Sequence, residues 1–246
     1  MKVKNNLLAA FILTALTVFV ACEKNVISMP GDVPVGAKVK FVHACSNCPS
    51  LLVTANNVTI NPTAMSYGTA TTTTGSFPTS GYAILPTGDV TLDFIRSDSS
   101  KSLISSKVNL TDGKWYTIYI GDTIPTPTIS LIEDDIKPFQ DTLLRIRFAN
   151  LLSGKTKDTL ELVHQNYNKV IATNVTYGKA SEFTLVPNPV SDTFYFRKVG
   201  ATTAYPLTGL YTLAGFKAQT YTFFTRGLNN KTTGVQLGRM DLIRNR

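Results

Sequence analysis

The residues with the most chemical potential in this chain are Cys45-Ser46-Asn47-Cys48. A Cys-x-x-Cys pair can act as a redox couple, form half of a zinc site, remain as free thiols or close a local disulfide. Redox work wants the first thiol at a helix N-terminus, whose partial positive charge lowers the thiol pKa. Here the flanks read as a strand and Pro49. His43 extends the pattern to His-x-Cys-x-x-Cys, but no fourth zinc ligand follows. Outside the cytoplasm a disulfide between Cys45 and Cys48 is the favoured state, and neither a metal nor a cofactor is expected. The two histidines, His43 and His164, stand near no nucleophile-elbow pattern, so the chain reads as a non-enzyme. Glu133-Asp134-Asp135 offers oxygens to calcium, yet no second acidic group stands at loop spacing, and the run reads as a solvated boundary. Tyr67 and Tyr177 each precede a glycine. Such a tyrosine is expected at a sandwich edge with its hydroxyl tied to backbone.

The chain opens with Lys2 and Lys4, an apolar run from Leu7 to Val20, and Ala21-Cys22. A basic head, a short hydrophobic segment and a small residue before the cut describe a secretory signal over residues 1–21. Spanning a bilayer takes about 20 apolar residues, and Thr14 and Thr17 dilute this shorter run. Phe19-Val20-Ala21-Cys22 resembles a bacterial lipobox, with Phe19 where Leu is usual. That resemblance implies acylation of Cys22 and a membrane partner through the lipid. Residues 22–36, with Pro30, Gly31, Pro34 and Gly36, read as a flexible tether.

The formal net charge of +8 is unevenly spread. Residues 37–135 hold six Lys/Arg against eight Asp/Glu, whereas residues 142–246 hold fourteen against five. A summed positive field attracts anionic partners. Lys217, Arg226, Lys231, Arg239, Arg244 and Arg246 form a candidate anion-binding set facing only Asp241 in residues 214–246. An anionic glycan or an envelope protein is the partner considered. Nucleic acid is not, since no basic–aromatic nucleic-acid motif appears.

These residues must be positioned by strands. The chain after the signal is rich in Thr, Val, Ile, Tyr and Phe, and no window there sustains a helical period. Three landmarks recur: Val39-Lys40-Phe41-Val42-His43 as Ile146-Arg147-Phe148-Ala149-Asn150, Ser66-Tyr67-Gly68-Thr69-Ala70 as Thr176-Tyr177-Gly178-Lys179-Ala180, and Tyr116-Thr117-Ile118-Tyr119 as Tyr221-Thr222-Phe223-Phe224. Their offsets of 107, 110 and 105 residues agree within loop-length variation, which marks an internal repeat. The chain therefore divides into residues 37–135 and 142–246, joined by 136–141, each long enough for its own core.

Strands are expected at Lys38–Ala44, Leu51–Thr54, Tyr82–Leu85, Val90–Arg96, Leu103–Leu110, Trp115–Ile120 and Thr128–Ile132. The second set is Leu144–Asn150, Leu160–Val163, Phe183–Val186, Thr193–Val199, Gly209–Leu213, Thr220–Thr225 and Val235–Ile243. Short strands at this spacing, with an Asp112-Gly113 turn, predict an all-β fold of two tandem immunoglobulin-like antiparallel β-sandwich domains.

Phe41-Val42-His43-Ala44, Ser66-Tyr67-Gly68-Thr69-Ala70-Thr71, Leu85-Pro86-Thr87-Gly88 and Leu110-Thr111-Asp112-Gly113-Lys114-Trp115-Tyr116-Thr117 resemble the DUF4397 domain. The resemblance is weaker in the second repeat, where Pro187-Asn188-Pro189 replaces the Pro-x-Gly turn. It implies an exported bacterial protein of the Bacteroidetes type, with no assigned activity. Asp122-Thr123-Ile124, Asp141-Thr142-Leu143 and Asp158-Thr159-Leu160 also resemble the short O-glycosylation signal of such exported proteins. The expectation is a non-catalytic cell-envelope lipoprotein, in the outer membrane on its periplasmic or surface face, structural or ligand-presenting. The alternative is a carbohydrate-binding component of a surface glycan-uptake system, which needs exposed aromatics on one face. Trp115, the single tryptophan, falls in a core strand.

Overall fold

The computed structural model describes residues 36–70, 81–136, 143–186, 191–205, 211–214, 219–231 and 233–245. The first repeat forms β1 (Ala37–His43), β2 (Leu51–Ala55), β3 (Val58–Thr59), β4 (Ala83–Leu85), β5 (Gly88–Arg96), β6 (Ser102–Leu110), β7 (Trp115–Thr123) and β8 (Thr126–Glu133). The second forms β9 (Leu144–Ala149), β10 (Leu160–His164), β11 (Lys169–Val175), β12 (Thr184–Val186), β13 (Ser191–Lys198), β14 (Tyr211–Ala214), β15 (Thr220–Arg226) and β16 (Arg239–Arg244). Among the described residues there is no helix.

Each repeat is a sandwich of two four-stranded sheets. The sheets are β4-β1-β7-β8 and β3-β2-β5-β6 in the first, and β12-β9-β15-β16 and β11-β10-β13-β14 in the second. The topology of one is the topology of the other, strand for strand. Pairing is antiparallel except that β1 runs parallel to β7 and β9 parallel to β15. Alternation places Val39, Phe41, Val53, Phe94 and Ile118 in one core, and Ile146, Phe148, Leu162, Phe196 and Phe223 in the other. The short β3 and the longer β11 lie outside the expected strands. In β11 the period of two is broken by register shifts against β10 and by Asn174 at φ +56°. β16 begins at Arg239 rather than Val235, because Leu237 N–H turns back to Gly234 C=O at 3.2 Å.

A third apolar cluster joins the repeats. Val42, Ala44, Tyr119, Ala149, Leu151, Phe224 and Ile243 are all at most 2% exposed. They occupy the outward faces of β1, β7, β9, β15 and β16 or the residues just after them, faces that water would cover in a lone sandwich. Tyr119 and Phe224, equivalent residues of the two repeats, meet with ring centroids 5.9 Å apart.

A buried polar network flanks that cluster, and its members also correspond across the repeats. Arg147, 2% exposed, donates to the Asp134 carboxylate, to Thr222 Oγ1 at 2.8 Å and to the Glu133 carbonyl at 3.1 Å. Its guanidinium lies 4.6 Å from the Phe183 ring centre. Lys40, the equivalent of Arg147, donates to the carbonyl of Arg244 and lies 4.4 Å from the Tyr82 ring centre. Burial holds the Lys40 amine down to about 8, against the pull of Asp134. Asp134 Oδ2 accepts from Thr117 and Tyr82, each at 2.7 Å, while Asn245 accepts from Thr222 at 2.7 Å and donates to Tyr82 at 2.9 Å. The acidic run at Glu133–Asp135 is therefore solvated only at its two ends, with its middle residue buried. Asp134 is 2% exposed and balances Arg147, while Glu133 pairs with Lys114 at 2.6 Å.

The repeated Tyr-Gly turns complete the seam. Gly68 and Gly178 take φ of +83° and +75°, and their N–H groups donate to the carbonyls of His43 and Asn150. Each turn lies against the other repeat. A Cβ at position 68 would sit 2.8 Å from the Arg226 guanidinium carbon, and one at 178 would sit 2.9 Å from Ser130 Oγ. Arg226 covers the Tyr67 ring at 4.3 Å, and the Tyr177 hydroxyl meets Thr128 Oγ1 at 2.9 Å. The tyrosines thus face the neighbouring repeat, where a hydroxyl tied to backbone at a free sandwich edge was expected.

Candidate functional site

Where the first repeat turns from β2 to β3 through Asn56 and Asn57, the second uses four residues, Gln165 to Asn168, between β10 and β11. Asn168 adopts φ +46° and its N–H donates to the Gln165 carbonyl at 3.1 Å. The turn is fixed from below by Asp192. Asn166 Nδ2 donates to Asp192 Oδ1 at 3.0 Å, and His164 Nε2 lies 2.5 Å from Asp192 Oδ2. Both side chains of the His164–Asp192 pair are at most 3% exposed.

The His164 imidazole is held between two rings. Phe194 lies 4.9 Å beneath it and Tyr167 stacks on it at 4.7 Å with an interplanar angle of 29°. The three rings run from the core to the surface, where Tyr167 is 69% exposed. Beside Tyr167 opens a cleft of about 660 Å³, walled by Lys169, Val170 and Ile171 of β11 and by Thr184, Leu185 and Val186 of β12. Leu185 is 51% exposed, and among the described residues Lys169 is the one lysine or arginine lining the cleft and no carboxylate lines it. This volume falls in the range of small-ligand sites, about 300–1,000 Å³. A preorganised ring, an apolar wall and a few polar groups suit binding of a flat, amphipathic molecule.

The strand register shows what the first repeat carries at these places. His164 pairs with Phe194 as Ala55 pairs with Leu92, and Asp192 falls two residues before Phe194 as Val90 falls two before Leu92. Ala55 and Val90 are ordinary core residues, 4% and 0% exposed. The second repeat buries an ionisable pair where the same fold closes with apolar side chains. A buried pair is often no more stable than well-packed apolar residues; here each member touches the turn, Asp192 accepting from Asn166 and His164 carrying the Tyr167 ring.

The residues singled out in sequence are placed elsewhere. Cys45 and Cys48 are joined in a disulfide, with Cα atoms 5.5 Å apart. Sulfurs bonded to each other offer no thiolate to a metal. The staple holds the link from β1 to β2, where Asn47 Oδ1 also accepts the Ile124 N–H at 2.7 Å. His43 Nε2 meets the Pro49 carbonyl at 2.9 Å, and burial holds the imidazole down to about 4. Arg226 is committed to Asp241 and Tyr67 at the seam. Arg239, opposite Arg226, and Arg244, opposite Tyr221, project from opposite faces of β16, and Lys231 is exposed in a turn. Arg226 and Arg239, being cross-strand partners, share one face, which Arg244 does not join. Cys22, Lys217 and Arg246 lie outside the described residues. Among the described residues no helix is long and apolar enough to cross a membrane. Tyr167, Lys169 and Asp192 were not anticipated. The signal available for them was the longer second-repeat turn and the replacement of Ala55 and Val90 by His164 and Asp192.

The pKa of His43 carries a test. An unfolded chain takes up the imidazole proton near 6.5, whereas the folded chain resists until about 4. Between those values the unfolded state holds more protons, so stability falls as pH is lowered through that window. His43→Asn, which installs the residue found at the equivalent Asn150, is expected to remove about 3 kcal/mol of the difference in stability between pH 7 and pH 4. Urea unfolding of both proteins at the two pH values measures it. An equal acid loss in the variant would show that His43 is not the group responsible.

Fold and cleft together define a tandem β-sandwich protein with an aromatic-lined cleft beside Tyr167 in its second half. Residues 37–158 match the family described as "Domain of unknown function (DUF4397)", the family whose motifs the sequence resembles. Among curated proteins, none matches this chain in sequence. Among solved structures it is similar to a family 26 carbohydrate-binding module of Eubacterium rectale Amy13K, in complex with maltoheptaose. That likeness has 8% identity and a TM-score of 0.24, covering 80% of this chain and 97% of the other.

Proposed function

We propose that this chain is a non-catalytic, lipid-anchored cell-envelope protein whose two sandwiches act as one rigid body presenting a single ligand cleft. The observation that carries the reading is the cleft beside Tyr167, with its ring ordered by the buried His164–Asp192 pair. Absence of catalysis is supported by the commitments of both histidines. His43 faces a backbone carbonyl, and His164 is stacked between two rings with Nε2 on Asp192. A carbohydrate-binding component of a surface glycan-uptake system is the second reading. One observation favours it: among the described residues, Tyr167 is the one aromatic side chain that is exposed.

A thermal-shift panel of saccharides, peptides, nucleosides and organic acids tests the cleft. A stabilising compound should lose its effect in Tyr167→Ala, and compounds that stabilise both proteins equally would overturn the assignment. Anchoring is tested separately. Wild-type protein should sediment with membranes through diacylglycerol on Cys22, in the outer membrane on its periplasmic or surface face. Cys22→Ala should move it to the soluble fraction or mislocalise it. Unchanged fractionation, with an intact mass lacking lipid, would overturn the anchor.

A further inference from the structure

We infer that the Tyr167 cleft takes an acidic saccharide, a pyranose ring bearing a carboxylate; this rests on the ligand-presenting reading of the same cleft. The first support is the form of the platform. One face of Tyr167 lies on His164 at 4.7 Å, and the residue remains 69% exposed, so the ring is fixed in orientation and still offers surface to a ligand. A stacked ring loses little further freedom when a second flat body settles on it. The C–H face of a pyranose is such a body: it is apolar over the ring and carries hydroxyls at its rim.

The second support is the composition of the wall. Val170, Ile171 and Leu185 give an apolar side, while Asn168 and Thr184, the latter donating its hydroxyl to the Ile171 carbonyl at 3.4 Å, add polar groups to the lining. A purely aliphatic ligand would leave those polar groups facing an apolar surface, which costs free energy when they are desolvated. The third support is charge. Lys169 is the residue next to the turn, and among the described residues no carboxylate lines the cleft to neutralise it. A lysine ammonium is a mobile point charge on a flexible stem, suited to a carboxylate projecting from a ring whose position is set by Tyr167. The +9 balance of Lys/Arg over Asp/Glu in residues 142–246 acts in the same direction at longer range. The first repeat has neither the four-residue turn nor the ring, so a single site per chain is expected.

Isothermal titration of the full-length protein in detergent tests the inference, using tetragalacturonate and its methyl ester, which share rings but not charge. The acid should bind and the ester should bind more weakly, and raising salt should weaken only the acid. Tyr167→Ala should weaken the acid roughly tenfold or more. Tyr167→Phe, which keeps the ring, should leave binding within about twofold. Lys169→Gln should weaken the acid about threefold and leave the ester unchanged. Equal binding of acid and ester would overturn the carboxylate assignment, and a Tyr167→Phe loss as large as that of Tyr167→Ala would overturn stacking. If neither saccharide binds, while a compound of another class stabilises wild type but not Tyr167→Ala, the saccharide inference fails and the cleft reading stands.

Discussion

Asp134→Ala is expected to cost about 3–5 kcal/mol of folding stability, the effect of stranding one member of a buried ion pair. Arg147 would keep Thr222 Oγ1, the Glu133 carbonyl and the Phe183 ring, all neutral, and would lose its counter-charge. Thr117 and Tyr82 would lose their acceptor in the same step. Lys40, also buried, would lose the anion that partly offsets its desolvation. Asp134→Asn separates charge from shape, since the second repeat places Asn245 at the corresponding position, and an intermediate loss is expected. Glu133→Ala serves as the control. Its pair with Lys114 is about half-exposed on both sides, and solvent screens such pairs so that they contribute little. Urea unfolding measures all three variants. A loss at Asp134 no larger than the loss at Glu133 would remove the network from any part in stability.

Cutting the chain between residues 136 and 143 is expected to leave the two halves together. A protease site placed in that connector allows the cut to be made after folding. The seam buries Tyr119, Leu151, Phe224 and Ile243 to at most 2% exposure, and each large apolar side chain contributes roughly 1.5–3 kcal/mol on burial. Several such residues approach the whole stability of an ordinary domain, about 5–15 kcal/mol. Parting the halves would also expose Arg147 without Asp134 and open both Tyr-Gly turns. The cut protein should therefore elute from gel filtration as one species and unfold in a single transition. Two peaks at micromolar concentration, or two separate transitions, would show that the seam is too weak to couple the repeats.

Much of the scaffold was legible in the residues. The three repeated landmarks fall on β1 and β9, on the two Tyr-Gly turns, and on β7 and β15. The seam was not legible, because alternation reports only that a face is apolar or polar. Lys40 and Arg147 interrupt the apolar run as solvent-facing residues would, yet both are buried by the opposite repeat. Nothing local distinguishes a lysine covered by water from one covered by a neighbouring sheet. The cleft escaped for another reason. His164 looks unremarkable alone, and Asp192 gains meaning only when strand register aligns it with Val90. Aligning the repeats position by position, beyond using them to count domains, would have exposed that difference.

Equivalent side chains facing one another, Tyr119 on Phe224 and each Tyr-Gly turn on the other repeat, is the arrangement by which two identical subunits close into a dimer. Found inside one polypeptide, it gives the contact of such a dimer without a second chain. Joining removes a constraint that every symmetric dimer obeys, since one mutation no longer changes both sides. Gly121 and Arg226 show the result: corresponding residues, one leaving room for the Tyr177 hydroxyl and the other covering the Tyr67 ring. The same release let one half keep an apolar core beneath a two-residue turn while the other acquired His164, Asp192 and Tyr167.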